Sequence, residues 1–250
     1  MTNKTILITG ASRGIGLELV KQYASADPTS LVLAAVRDPS KAPLIHELAK
    51  AHGNVKVIPL DASSDASIAA SVAHAKQHTS HVDLLINNAG VQNPSGPAED
   101  SIAKLTRADF LAVFSTNVYA PLAVVQAYLP LLKASASPVV VNISSVAGST
   151  AIVAKMPLSS TLLSYCASKS ALNFVTTSSA TAYPDILFLA IHPGSVTTDM
   201  AKDVTDVIGK GAFQSISTLE SATSIIKTVN ASTIKDSGKF ISYDGSDLPY

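Results

Sequence analysis

The chain has no tryptophan, a single cysteine, few aromatics (5 %) and little charge (14 %) over its 250 residues. The lone cysteine, Cys166, excludes any disulfide within the chain and any cysteine-rich zinc module. Charged residues usually make up about a quarter of a globular chain. Here 18 basic and 18 acidic side chains cancel to a net charge of zero, without the basic excess of a nucleic-acid binder, so no nucleic acid is expected as a partner. Long apolar runs are missing too. Stretches such as LVLAAV (31–36) fall well short of the roughly 20 residues that a membrane helix needs. The opening MTNKTILITG holds no apolar stretch of signal-peptide length, and the closing DLPY carries no lipidation or peroxisomal signature. The expectation is a cytoplasmic protein with no membrane partner.

What is present is an alternation. Short apolar runs at 4–9, 31–36, 54–60, 82–87, 138–144, 186–192 and 239–243 are separated by helical patterns at 15–25, 40–52, 65–79, 101–133, 161–182 and 218–229. The runs are apolar on both faces, as strands covered by helices on each side must be. Strand–helix repetition implies a parallel sheet. The predicted fold class is α/β: one domain over 1–250, a doubly wound parallel seven-stranded sheet with helices on both faces. Pro130 is expected to bend or end the 101–133 helix. Two stretches break the alternation, 148–164 and 194–217; each follows a strand, at the sheet edge where such folds bind ligands.

The first strand runs into TGASRGIG, with Gly10, Gly14 and Gly16 opening a helix. Gly10 suits a tight turn, and Gly14 and Gly16 remove Cβ atoms where a pyrophosphate must approach a helix N-terminus. Ser12, Arg13 and Ile15 complete the turn. The second strand ends in Arg37, and an arginine there favours the 2′-phosphate of NADP(H) where an acid would favour NAD. Arg13 can grip the same phosphate from the other side. Asp38 is the competing reading, a partner for a ribose hydroxyl; Arg37 and Asp38 can also simply begin a turn before Pro39. His74, His78 and His81 have metal-like spacing, but they end a surface helix and no metal site is expected.

TGASRGIG is followed in order by NNAG (87–90), Asn117, ISS (143–145), YCASK (165–169) and PGSVTTDM (193–200). Together they resemble the short-chain dehydrogenase/reductase family over essentially the whole chain. The Rossmann-type NADP-binding domain is the fold this implies. The likeness is greatest to the carbonyl-reductase branch of sniffer and C-factor proteins and to fungal ketoreductases of the norsolorinic acid type. Tyr165 and Lys169, four apart, share a helix face. The phenol's ordinary pKa of about 10 is too high for acid–base work at neutral pH, and a nearby ammonium is expected to lower it. Ser145 and Ser144 point to opposite sides of the strand; the family pattern selects Ser145, whose hydroxyl would meet the substrate oxygen.

The resemblance further implies that Lys169 and Tyr165 also touch the cofactor. It implies that Asn117 binds a water linking Lys169 to solvent, and that Asn88, Ala89 and Gly90 steady the sheet near the adenosine ribose. Pro193 and Gly194 break the sixth strand, with Val196 and Thr198 meeting the nicotinamide amide. Asp61, with Ala62 beside it, resembles the adenine-contacting acid; the alternative is a helix N-cap. Twenty residues separate Ser145 from Tyr165, more than the family usually has. Ile152, Val153, Met156, Leu158, Leu162 and Leu163 in that interval suit an apolar pocket wall, or else packing against helices or a second subunit.

The expected activity is NADPH-dependent reduction of a small ketone or aldehyde, apolar or aromatic, by a homodimer or homotetramer. The alternatives are an NAD-dependent alcohol or dihydrodiol dehydrogenase, or a non-catalytic NADPH-sensing module.

Overall fold

The computed structural model describes residues 4–155, 161–198, 200 and 215–250. Its strands are β1 (Thr5–Thr9), β2 (Leu31–Val36), β3 (Val55–Pro59), β4 (Leu84–Asn87), β5 (Val139–Ile143), β6 (Leu187–His192) and β7 (Phe240–Ser242). All pair in parallel in the order β3-β2-β1-β4-β5-β6-β7. The chain winds outward from β1 in one direction and then from β4 in the other. The crevice between β1 and β4 is therefore the switch point where open α/β sheets bind ligands.

The helices are α1 (Gly14–Ala26), α2 (Pro43–Ala51), α3 (Asp65–Lys76), α4 (Arg107–Phe114), α5 (Ala120–Lys133), α6 (Thr150–Val153), α7 (Leu163–Ala182) and α8 (Thr218–Ala231). One core layer lies between the sheet and α1, α2 and α8, with Leu19, Ile45 and Ile225 packed on Ile8 and Leu189. The other joins Ile68 of α3 and Val124 and Leu132 of α5 to Leu7, Leu85 and Phe188. Strand side chains thus feed both layers alternately, which is why the runs read as apolar throughout. Truncating a fully buried leucine such as Leu7 to alanine costs about 2–5 kcal/mol in such a core.

Several boundaries differ from expectation. The 40–52 pattern splits into a 3₁₀ turn (Pro39–Lys41) and α2, because Pro43 at the start of α2 has no N–H with which to continue the earlier turn. The 101–133 helix starts at Arg107, where Thr106 Oγ1 accepts the Asp109 N–H at 3.1 Å. Pro130 does not end α5, which runs on to Lys133. Tyr128, Leu131 and Leu132 are buried on both sides of the proline, and their packing outweighs its lost hydrogen bond. The stretch Arg107–Lys133 is long and apolar enough to cross a membrane by composition; here its apolar face packs on the sheet.

Between α4 and α5 lies one π turn, Ser115–Tyr119, in which the Ala120 N–H reaches back to the Ser115 carbonyl. Pro121 cannot supply the ordinary bond to the Asn117 carbonyl four residues earlier, so the irregularity falls on Asn117.

Candidate active site

The glycine turn sits at the carboxyl end of β1. Gly10 has φ +66°, and a Cβ there would stand 2.9 Å from the Ala89 Cα; at Gly16 it would stand 2.4 Å from the Gly10 carbonyl oxygen. No side chain fits at either place. Asn88 holds the turn from beneath, donating through Nδ2 to the carbonyls of Thr9 (3.0 Å) and Gly10 (3.2 Å), while Asn88 N and Ala89 N donate to Thr9 Oγ1. α1 then opens at Gly14 with no side-chain cap and no acid in its first turn. Uncapped first-turn amides at a switch point are an anion site, so the residues present fit a dinucleotide's pyrophosphate. Ser12 is half-buried, and Ile15 packs onto the α1 core layer.

Arg13 and Arg37 are both exposed, each two residues beyond the Ala11 N–H to Ala35 carbonyl bond (3.1 Å) that ties the two strand ends together. Asp38, the competing reading, is occupied. Its Oδ1 accepts from Ser40 N (3.0 Å) and Ser40 Oγ (2.6 Å), and its Oδ2 pairs with Lys41 at 3.3 Å. It starts the turn before α2 and is held below the usual carboxylate range by the Ser40 hydroxyl first and by Lys41 after it. Asp61 is not the cap of α3; that is Ser64, which accepts the Ser67 N–H. Asp61 accepts instead from Ser63 N and Oγ, and those bonds, with the Arg37 charge nearby, hold its carboxyl low. Ala62, next to it, packs on the α3 core layer.

The opposite wall of the crevice is β5 and α7. Ser144 turns inward and donates to Asn173 Oδ1 at 2.6 Å, leaving Ser145 to face outward, as alternation on the strand requires. Ser145 Oγ accepts the Ala147 N–H at 3.1 Å, and its hydroxyl lies beside the Tyr165 phenol, favouring the ionised form. Lys169 is 5 % exposed; its Nζ donates to the Ile143 carbonyl at 2.8 Å and lies 5.7 Å from the centre of the Tyr165 ring. Burial brings the Lys169 ammonium down to about 8.

The expected lowering of the Tyr165 pKa by Lys169 does not appear here: burial pushes the phenol up to about 12, and the Ser145 hydroxyl opposes this only in part. Loss of water disfavours the phenolate more than one hydroxyl favours it, and the ammonium rests on a carbonyl instead of on the phenol. The phenol is therefore a neutral proton carrier throughout the physiological range.

Asn117 is fully buried and its side chain is taken. Oδ1 accepts from Val91 N and Nδ2 donates to the Val91 carbonyl, both at 2.8 Å; Nδ2 also reaches Ser168 Oγ at 3.0 Å. It ties the loop following Gly90 to α7. A Cβ at Gly90 would lie 3.4 Å from Asn117 Oδ1 and 3.7 Å from Lys169 Nζ, so this glycine gives the two room to approach.

On the third side, the Pro193 carbonyl accepts Ser221 Oγ at 2.6 Å, Gly194 (φ +88°) is covered by Ile216 and Tyr243, and Val196 bridges to Ile216. Thr198 faces the glycine turn, with Cγ2 3.6 Å from where a Gly14 Cβ would be. The structure thus brings glycine turn, arginines, Tyr165, Ser145, Lys169 and the 193–198 segment to one edge of the sheet. Of the expected pocket wall, Val153 and Leu162 pack with Ala147, Cys166 and Tyr165; Met156 and Leu158, and most of 194–217, lie outside the described residues.

One residue with a bearing on the site escaped the sequence reading. Asp100, fully buried, takes the first amides of α7 from a loop 63 to 65 positions earlier.

Comparisons with known proteins agree with this geometry. A family model described as short chain dehydrogenase matches residues 4–208. A short chain dehydrogenase, gsfK, of Penicillium aethiopicum is 38 % identical, covering 98 % of this chain and 99 % of its own length. Among solved structures, an NADPH-bound carbonyl reductase from chicken fatty liver superposes with a TM-score of 0.88 at 34 % identity over the whole of both chains. The carbonyl reductase Sniffer of D. melanogaster does so with 0.85 at 28 % identity, over 99 % of this chain and 100 % of its own.

Proposed function

Because this chain belongs to the short-chain dehydrogenase family and is an oxidoreductase built for a nicotinamide cofactor, we propose that it reduces a ketone or aldehyde to the alcohol with NADPH. The observation that carries the reading is the grouping of Ser145, Tyr165 and Lys169 at the carboxyl end of β5, with Lys169 Nζ 5.7 Å from the centre of the Tyr165 ring and the Ser145 hydroxyl beside the phenol. A carbonyl oxygen there accepts a hydrogen bond from Ser145 and the proton from Tyr165 as negative charge develops on it. When bound, NADPH supplies the hydride. Lys169, charged below about pH 8, holds the ribose hydroxyls and lies on the path by which a proton returns to Tyr165. The Asn117 carbonyl, in the π turn, holds the water that returns a proton.

The glycine turn and the α1 amides take the pyrophosphate, and Arg13 and Arg37 take the 2′-phosphate. Engagement of Asp38 with Ser40 and Lys41 supports this choice over NAD, as does the NADPH in the chicken carbonyl reductase. Val153 and Leu162 beside Tyr165 support an apolar or aromatic substrate. Exposed Leu111, Tyr119 and Phe174 support self-association into a homodimer or homotetramer.

The test is a panel of activated aromatic and aliphatic ketones and aldehydes, followed by the loss of NADPH or NADH absorbance. Turnover with a clear preference for NADPH is expected. Preference for NADH would favour the NAD-dependent alcohol dehydrogenase, and binding of NADPH without any turnover would favour a sensing module.

A further inference from the structure

Helix α7 carries both Tyr165 and Lys169, yet its own N-cap residue, Leu162, has no side-chain oxygen with which to satisfy the first amides. One residue from elsewhere does so. The Asp100 carbonyl accepts the Leu163 N–H at 3.0 Å, its Oδ1 accepts the Ser164 N–H at 2.9 Å, and its Oδ2 accepts the Tyr165 N–H at 3.4 Å. The last of these amides belongs to Tyr165 itself. Asp100 is 0 % exposed. A carboxylate so buried is stabilised by the amides it accepts and by the positive end of the helix. It is placed by the short turn Pro97–Glu99, where its own N–H bonds to the Pro97 carbonyl at 3.1 Å. Lys104, the nearby cation in sequence, is engaged with Glu99 at 3.0 Å instead.

Further along, α7 is held by a different set of contacts. Gly148 lies so close that a Cβ there would be 2.7 Å from the Lys169 carbonyl carbon. Ser170 Oγ and Asn173 Nδ2 both donate to the Gly148 carbonyl, and Asn173 accepts from Ser144. Lys169 Nζ is fixed on Ile143. The helix thus has two anchors: Asp100 for the turn that carries Tyr165, and the end of β5 for the turn that carries Lys169.

We infer that Asp100 is a positioning residue for the reaction: by holding the first turn of α7 through three amides, it sets the place of the Tyr165 hydroxyl without placing Lys169. The inference rests on Tyr165 being the proton donor. A displacement of about 1 Å at a reacting group can cost about 10²-fold in rate, so the effect belongs in the chemical step and not in cofactor affinity.

The experiment measures the single-turnover rate of ketone reduction and, separately, the Kd for NADPH by fluorescence titration, in Asp100→Ala, Asp100→Asn and Tyr165→Phe. Asp100→Ala is expected to slow reduction by roughly 10–100-fold with the NADPH Kd nearly unchanged. Asp100→Asn retains an acceptor for Ser164 and should recover most of the rate. Equal losses in rate and in NADPH affinity would mean a general disturbance of α7 and would overturn the inference, as would an Asn variant as slow as the Ala variant. If Asp100→Ala does not fold, Asp100→Glu, which keeps the charge but shifts the oxygens, should show the same slow reduction; a wild-type rate there overturns it. Wild-type rate in Asp100→Ala beside an inactive Tyr165→Phe defeats this inference alone. Wild-type rate in Tyr165→Phe defeats the proton-donor reading and this inference with it.

Discussion

The two walls of the crevice are built on opposite electrostatic plans. On the glycine-turn side, two arginines are exposed and the first amides of α1 carry no side-chain cap. On the α7 side, the lysine is buried, the tyrosine is half-buried, and both have pKa values moved by loss of water. Exposed charges attract a charged ligand but are weakened by salt. Buried groups are insulated from salt and hold defined protonation states. The contrast assigns the jobs: the first wall governs how tightly the cofactor's phosphates are held, the second how fast a proton moves.

The largest effect should come from the buried wall. Tyr165→Phe keeps the ring packed against Val153 and Leu162 and removes the acidic proton. Turnover should fall by about 10²–10⁴-fold, the usual worth of a positioned general acid, with NADPH affinity little changed. Steady-state kinetics alongside a binding titration checks both halves, and a parallel loss of affinity would blur the division between the walls.

Next in size is a change to the exposed wall. Arg37→Asp removes a charge-assisted contact and sets a carboxylate in its place, beside Asp61. The NADPH/NADH preference should shift by at least about tenfold, since about 1.4 kcal/mol is a decade. The change should appear in the KM for NADPH with kcat retained, because the contact is the same in ground and transition states. An unchanged ratio would mean that this loop does not read the phosphate.

The smallest effect sharpens the picture of Lys169. Its folded pKa lies below the ordinary lysine value, at about 8, so the ammonium is present below that pH and lost as pH rises through it. Reduction should slow by about twofold between pH 7 and pH 8 and further above it. Tyr165, at about 12, should add no second limb in that range. A rate flat to pH 10 would show that the ammonium is not needed.

Much of this was open to reading from residues alone, for physical reasons that differ by element. The strands were legible because a sheet covered on both faces demands unbroken apolar runs, as at Leu31–Val36. Alternation put Ser144 and Ser145 on opposite sides and the family pattern selected Ser145; the structure sends Ser144 inward to Asn173. Arg37 and Asp38 could not be ranked by spacing; the capture of Asp38 by Ser40 and Lys41 depends on the fold of a local turn. The rise in the Tyr165 pKa is not legible from i and i+4 spacing, which is local, because burial is a tertiary property. Asp100 left no local signature at all: it caps a helix whose start lies 63 residues away, and its neighbours in sequence looked like the beginning of the helix that in fact opens at Arg107.

The division of labour between the walls is tested most directly by the salt dependence of the wild-type enzyme. From about 0.1 M to about 1 M salt, the screening length shortens from roughly 10 Å to roughly 3 Å. The KM for NADPH should rise severalfold over that range while kcat at saturating NADPH stays constant. A KM that does not move, with kcat falling instead, would contradict that division.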